Sequence, residues 1–223
     1  MNQLNISLPN WIDSFLGEYP KTIPDPEKQM RFVLALTERN IREETGGPFG
    51  AAVFERDSGK LVSVGVNVVV RQNCSAAQAE MMALMLAQKE LGHFDLGADG
   101  FPGHRLVTSG KMCAMCLGNV CWSGVSEVLS SAEPEDVEKI AGFDEGPTPP
   151  DYNAQLERRG IKIVPELLQN NFTASIVAET AVRLLQDKVY RDRMIGELKS
   201  IRGKLGESGA YEKAARCIEN MLC

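Results

Sequence analysis

Two cysteines three positions apart, in Cys113-Ala114-Met115-Cys116, stand between a strand-like segment and a helix-like one. On a helix this spacing turns both side chains to one face. A helix N-terminus favours the thiolate, which is the form that binds metal or attacks. The pair could hold a metal ion, cycle between dithiol and disulfide, or pack as two small apolar residues. A second feature lies upstream in Gln78-Ala79-Glu80, at the start of a run containing Met81, Met82, Leu84 and Met85. A carboxylate among such neighbours is either on the wet side of a helix or placed for a purpose. Set beside the two thiols, Glu80 would be a proton shuttle next to a metal site.

The elements that must position these residues alternate in type. Residues 1–24 hold Pro9, Pro20 and Pro24 among scattered apolar residues and read as an irregular arm with one short helix. Asp25-Pro26-Glu27 is an N-cap, a proline at the first helical position and an acid in the first turn, so a helix is expected to about Glu44. Ala51–Glu55 and Leu61–Val70 are rich in β-branched residues and flank the turn Asp57-Ser58-Gly59-Lys60, the pattern of a hairpin. Strong helix formers fill Ser75–Leu91, and Gly92 ends them. Arg105–Ser109 and Glu127–Ser131 read as strands, with a short helix from Cys113 to about Trp122 between them. Pro134–Ile140 and Tyr152–Arg159 read as helices, and Ile161–Pro165 as a last short strand. Alternating strands and helices imply an α/β layering with helices on both faces of a sheet. From about Ala174 to Leu222 almost everything suits helix, with a break near Gly203–Gly209.

The bulk properties narrow the function. The chain has 223 residues, 43 % hydrophobic and 24 % charged, the composition of a cored protein. Its formal charge is −6, which argues against a polynucleotide track, since phosphate binding calls for a basic excess. There is no apolar run of the roughly 18 residues that suggest a membrane span. Met1–Asn5 lacks the basic and apolar regions of a secretory signal. The expectation is a cytoplasmic protein with its six cysteines reduced.

Several blocks, in order, resemble the zinc-dependent nucleoside and base deaminases of the cytidine/deoxycytidylate deaminase superfamily, closest to their guanine-deaminase-like branch. They are Gly46-Gly47-Pro48-Phe49-Gly50-Ala51-Ala52-Val53, Asn67, Ala79-Glu80-Met81-Met82-Ala83-Leu84, Leu106-Val107-Thr108-Ser109, Cys113-Ala114-Met115-Cys116-Leu117-Gly118, Trp122-Ser123-Gly124-Val125 and Gly142-Phe143-Asp144-Glu145-Gly146-Pro147. The resemblance covers roughly residues 27–165. It implies a three-layer α/β/α sandwich with a mixed five-stranded sheet, in which the helices carrying Gln78–Glu80 and Cys113–Cys116 face each other. It implies Zn2+ on Cys113 and Cys116, and Glu80 as general acid/base. Asn67, eleven residues before Gln78, would orient the substrate ring. Glu145, with Asp144 as its neighbouring alternative, would match the acid that the guanine branch sets on the amino-purine edge. Gly47, Phe49 and Gly50 would line the pocket and Trp122 would flank it. The implied reaction is hydrolytic deamination of guanine or a related amino-heterocycle.

The pattern departs from the family in three places. Gln78 stands where the family has His or Cys, Lys111-Met112 where it has Glu-Pro, and Cys74 where Asp is usual. Zinc sites normally take imidazole, thiolate or carboxylate, and an amide oxygen is neutral and hard. Three outcomes follow. Gln78 ligates weakly, Cys74 (or, less favourably, Cys121) swings in as a third sulfur, or the site holds no catalytic zinc and the fold binds a ligand or partner or serves a different, non-deaminase activity. Lys111 beside the thiols would favour the third, by stabilising thiolates with its own charge.

The residue patterns divide the chain into an N-terminal arm (1–24), a deaminase-like domain (25–165) and a helical C-terminal extension (166–223). The extension resembles the C-terminal helices of lipid-A-disaccharide synthases, in Arg183-Leu184-Leu185-Gln186-Asp187, Arg191-Asp192-Arg193-Met194 and Leu205–Ala210. Its amphipathic helices need a partner surface, and a homodimer is expected.

Overall fold

The computed structural model describes residues 4–133, 146–164, 188, 189 and 192. By contacts the chain separates into two compact units, Met1–Glu166 and Leu167–Cys223. Every element described below lies in the first. The expected Pro134–Ile140 helix, Asp144, Glu145 and the C-terminal helices fall outside the described residues.

Helix α1 (Ile12–Gly17) belongs to the N-terminal arm, and α2 spans Pro26–Arg42. Asp25 caps α2 as its sequence requires, its carboxylate accepting from the Glu27 and Lys28 N–H groups at 2.8 and 3.3 Å. Strands β1 (Gly50–Glu55) and β2 (Leu61–Val66) form the expected antiparallel hairpin. A helical turn, α3 (Val69–Gln72), leads to α4 (Ala79–Leu91). Then come β3 (His104–Gly110), α5 (Ala114–Ser123), β4 (Glu127–Ala132), α6 (Tyr152–Arg158) and β5 (Lys162–Val164). The five strands make one mixed sheet in the order β2-β1-β3-β4-β5. β2, β1 and β3 are antiparallel neighbours, whereas β3, β4 and β5 run parallel.

Alternation along the strands builds two cores. Ala51, Val53, Leu106 and Val128 pack with Ala83, Leu84, Leu117 and Leu156 from α4, α5 and α6. Ala52, Phe54, Val107 and Leu129 pack on the other face with Phe15, Phe32, Val33 and Leu36 from α1 and α2. The result is the three-layer α/β/α sandwich with a mixed five-stranded sheet that the sequence implies. Among the described residues no helix is long and apolar enough to cross a membrane.

Two boundaries differ from the sequence reading, and both shape the site. β2 stops at Val66 rather than Val70, because the Asn67 side-chain oxygen accepts from the Val69 N–H (3.2 Å) and turns the chain into α3. This turn overrides the β preference of Val68–Val70. The helix expected from Ser75 begins only at Ala79. The Val68 N–H bonds the Ala77 carbonyl and the Ala77 N–H bonds the Cys74 carbonyl, so Ser75–Ala77 are held in a turn and Gln78 is extended (φ −81°, ψ 161°).

Opposite the site, Arg105 and Glu127 form a buried pair across β3 and β4. Arg105 donates to Glu127 Oε2 at 2.9 and 2.6 Å and to Gln29 Oε1 at 3.0 Å. Removing one partner leaves the other's charge buried and largely uncompensated. Glu127→Ala should therefore lower the unfolding free energy by about 3–5 kcal/mol in urea titration. A loss under about 1 kcal/mol would mean that water or Gln29 replaces the pair.

Candidate active site

Each functional side chain is placed by the end of an element. α4 lies against β2 at Gly65, where a β-carbon would stand 2.1 Å from the Ala79 carbonyl oxygen, so only glycine lets the helix start so close to the sheet. That contact sets Gln78 and Glu80 over the strand ends. Cys113 is the N-cap residue of α5, and Cys116 lies in its first turn. The α5 entry is fixed by the Ala114 N–H, which donates to the Pro147 carbonyl at 2.9 Å.

The thiols and the family's third ligand position meet. Cys113 Sγ lies 3.2 Å and Cys116 Sγ 3.0 Å from Gln78 Oε1, and both thiols are oriented to donate to it. Cys116 Sγ is also 3.3 Å from Glu80 Oε2, while Glu80 Oε1 accepts from the Thr108 hydroxyl at 2.6 Å. Glu80 is buried, with 6 % of its surface exposed. The Cys113 thiol is held down, at about 6, first by the hydrogen bond from the Cys116 side chain, and also by backbone N–H groups of the first α5 turn. Cys116 is pushed up by the same pairing, by burial and by the charge of Glu80.

A cavity of about 330 Å³ opens beside this cluster, lined by Gly47, Phe49, Asn67, Gln78, Glu80 and Cys113, among others. Its Gly-rich wall is tied down by Asn40, fully buried on α2, whose amide donates to the Gly47 carbonyl (2.9 Å) and the Asn67 carbonyl (3.1 Å). Gly46 admits this closeness, because a β-carbon there would stand 1.7 Å from the Asn67 carbonyl oxygen. Asn40 and Thr108 escape a reading by residue type. The available signal for Asn40 is a polar residue continuing the apolar Val33–Leu36 stripe of α2. For Thr108 it is a hydroxyl inside a strand buried along its whole length.

Four sequence expectations are corrected by these positions. Trp122 does not flank the cavity. It is 72 % exposed on α5, with the Arg159 guanidinium 4.6 Å from its ring centre, because the α5 face that packs inward carries Cys116, Leu117 and Val120. Cys74 does not join the thiols, since its turn packs it against the α2-side core. Lys111 lines the cavity, but its ammonium is taken by Glu133 at 3.0 Å and stands over the Tyr152 ring, so it is not spent on the thiols. Gly50 carries no place in the cavity lining; its N–H donates to Ser109 Oγ at 3.1 Å at the start of β1.

Comparisons with known proteins place the chain in a family. The family described as the cytidine and deoxycytidylate deaminase zinc-binding region matches residues 24–132. The guanine deaminase of Bacillus subtilis (strain 168) is 33 % identical over 119 residues, covering 53 % of this chain and 71 % of that protein. The chain belongs to the cytidine and deoxycytidylate deaminase family, a class of hydrolases that act on C–N bonds. Within that family it is guanine-deaminase-like. A crystal structure of the guanine deaminase from Nitrosomonas europaea superposes with a TM-score of 0.70 at 47 % identity, covering 76 % of this chain and 92 % of that one. The protein NE0047 in complex with 2,6-diaminopurine gives the same TM-score at 46 % identity, covering 81 % and 94 %. A stretch of 63 residues is also 38 % identical to the lipid-A-disaccharide synthase of Myxococcus xanthus (strain DK1622), but this is 16 % of that protein's length, too little to carry its activity over.

The zinc of this family can be tested against the donors present. Among the described residues no group of three or more His, Cys, Asp and Glu side chains is arranged to hold a metal ion. Three donor atoms nevertheless converge: two thiols of the soft kind that zinc takes, and the Gln78 amide oxygen in contact with both. The set fits a divalent ion through Cys113, Cys116 and Gln78, with the third donor neutral and weak where an imidazole would be strong.

Proposed function

We propose that this protein hydrolyses the exocyclic amine of guanine or a closely related amino-purine, releasing ammonia, with zinc held by Cys113, Cys116 and Gln78. The observation that carries this reading is Glu80: a buried carboxylate, held by a strand hydroxyl, that lines a base-sized cavity beside a Cys-x-x-Cys pair. The similarity to proteins named guanine deaminase supports the choice of ring. Zinc, when bound, supplies the acidity that lets water yield a proton near neutral pH. Glu80 Oε2 takes that proton and passes it to the ring nitrogen and then to the leaving amine, while Thr108 keeps Oε1 occupied. Asn67 and the Gly47–Phe49 wall hold the ring. Glu145, or Asp144 beside it, supplies the carboxylate for the amino-purine edge.

The test is ammonia release from guanine by the purified protein supplied with zinc, with adenine, cytosine and ammeline-like triazines as comparison substrates. Release from guanine above the others is expected. No release from any of them at full zinc occupancy would end this reading. A second reading is favoured by Gln78, whose amide oxygen satisfies both thiols without a metal: a metal-poor relative that binds a base without turnover. It would show as tight base binding with neither bound zinc nor ammonia.

A further inference from the structure

Glu80 has two carboxylate oxygens, and the fold treats them differently. Oε2 faces Cys116 Sγ at 3.3 Å, on the side where the reaction would occur. Oε1 is turned to the sheet, where the Thr108 hydroxyl donates to it at 2.6 Å, the length of a charge-assisted bond to a carboxylate. Thr108 is fully buried in the middle of β3. It sits opposite Ala51 of β1 and Ser130 of β4, so strands on both sides fix its backbone. A β-branched side chain on such a strand has little χ1 freedom, so the methyl group fixes where the hydroxyl points.

From this geometry we infer that Thr108 is a positioning residue for the proposed deamination, holding the Glu80 carboxylate in the one rotation that presents Oε2 to the reacting atoms. The inference rests on the function proposed above. Thr108 does not line the cavity, and its hydroxyl bonds Glu80, so it acts through that carboxylate. A threonine kept only to satisfy a buried hydroxyl would contribute to folding and not to turnover. The two roles separate because Thr108→Val keeps the shape and loses the donor, whereas Thr108→Ser keeps the donor and loses the methyl group.

The experiment compares both variants with the parent protein at full zinc occupancy, with guanine as substrate, and determines crystal structures of both variants. Thr108→Val is expected to lose about 10- to 100-fold in kcat, the usual cost of an outer-shell partner, with KM within about twofold of the parent. Thr108→Ser is expected to recover most of that rate. In the Val structure the Glu80 carboxylate should have rotated away from its parental position, and in the Ser structure it should not. The crystallographic arm decides the positioning claim even if the parent releases no ammonia, a result that would overturn the proposed function instead. A Glu80 carboxylate unmoved in Thr108→Val overturns the inference, as does an unchanged kcat in an active protein. So does a Ser variant as slow as the Val variant, or a loss confined to KM. If Thr108→Val does not fold, the Ser variant and Thr108→Ala carry the same comparison.

Discussion

Replacing Gln78 by His is expected to tighten zinc binding by about 100-fold or more. Even partners in the shell outside a metal's ligands are worth about 10- to 100-fold in affinity, and position 78 would supply a ligand directly. The amide oxygen of Gln78 is neutral and already engaged by two thiols, at 3.2 and 3.0 Å. A neutral imidazole brings a stronger σ-donor that zinc prefers, and it releases the sulfurs from that contact. Gln78 is extended at the mouth of α4 rather than inside it, so the exchange asks nothing new of the helix. Competition against a chromophoric chelator measures the change, and elemental analysis gives the stoichiometry. Ammonia release at limiting zinc should rise in parallel. An unchanged affinity would show that another group completes the site, and the donor set described here would be wrong.

Glu80→Gln is expected to lower the deamination rate by about 10²–10⁴-fold, the range in which a positioned acid–base group contributes. This substitution is mild for the fold. The amide oxygen can still accept from Thr108, and the amide nitrogen takes the place of Oε2 beside Cys116. What disappears is the group that takes and returns a proton. Base affinity, followed by calorimetry with guanine or 2,6-diaminopurine, should stay within about threefold, because the wall formed by Gly47, Phe49 and Asn67 is untouched. Retention of the rate would assign proton transfer to another residue. A large loss of affinity would show that Glu80 chiefly grips the ring.

Such predictions became specific only when the contacts were known, although the parts were visible earlier. The paired thiols, the carboxylate among methionines and the glycine turn before β1 stand out by residue type and spacing. The Asp25 cap and the alternating strand pattern also marked most elements to within a few residues. Those signals are local, since capping, turn chemistry and hydrophobic periodicity act over a few neighbouring residues. Where β2 ends is different. Val68–Val70 favour a strand by propensity, and the bond from the Val69 N–H to Asn67 turns them into a helical turn instead.

Sequence alone determined the layered architecture, the family and the candidate chemistry, because each rests on residue identities repeated at fixed spacing. The tertiary structure decided which of those residues meet. It brought Gln78 onto both sulfurs, gave Glu80 a hydroxyl partner from a strand 28 residues away, sent Lys111 to Glu133 and Cys74 to the far core, and left Trp122 in solvent. The physical reason is that a hydrogen bond or a ligand contact needs atoms about 3 Å apart. That distance is set by how helices seat on a sheet, through close approaches such as Gly65 against Ala79 and Gly46 against Asn67, and no spacing along the chain encodes it.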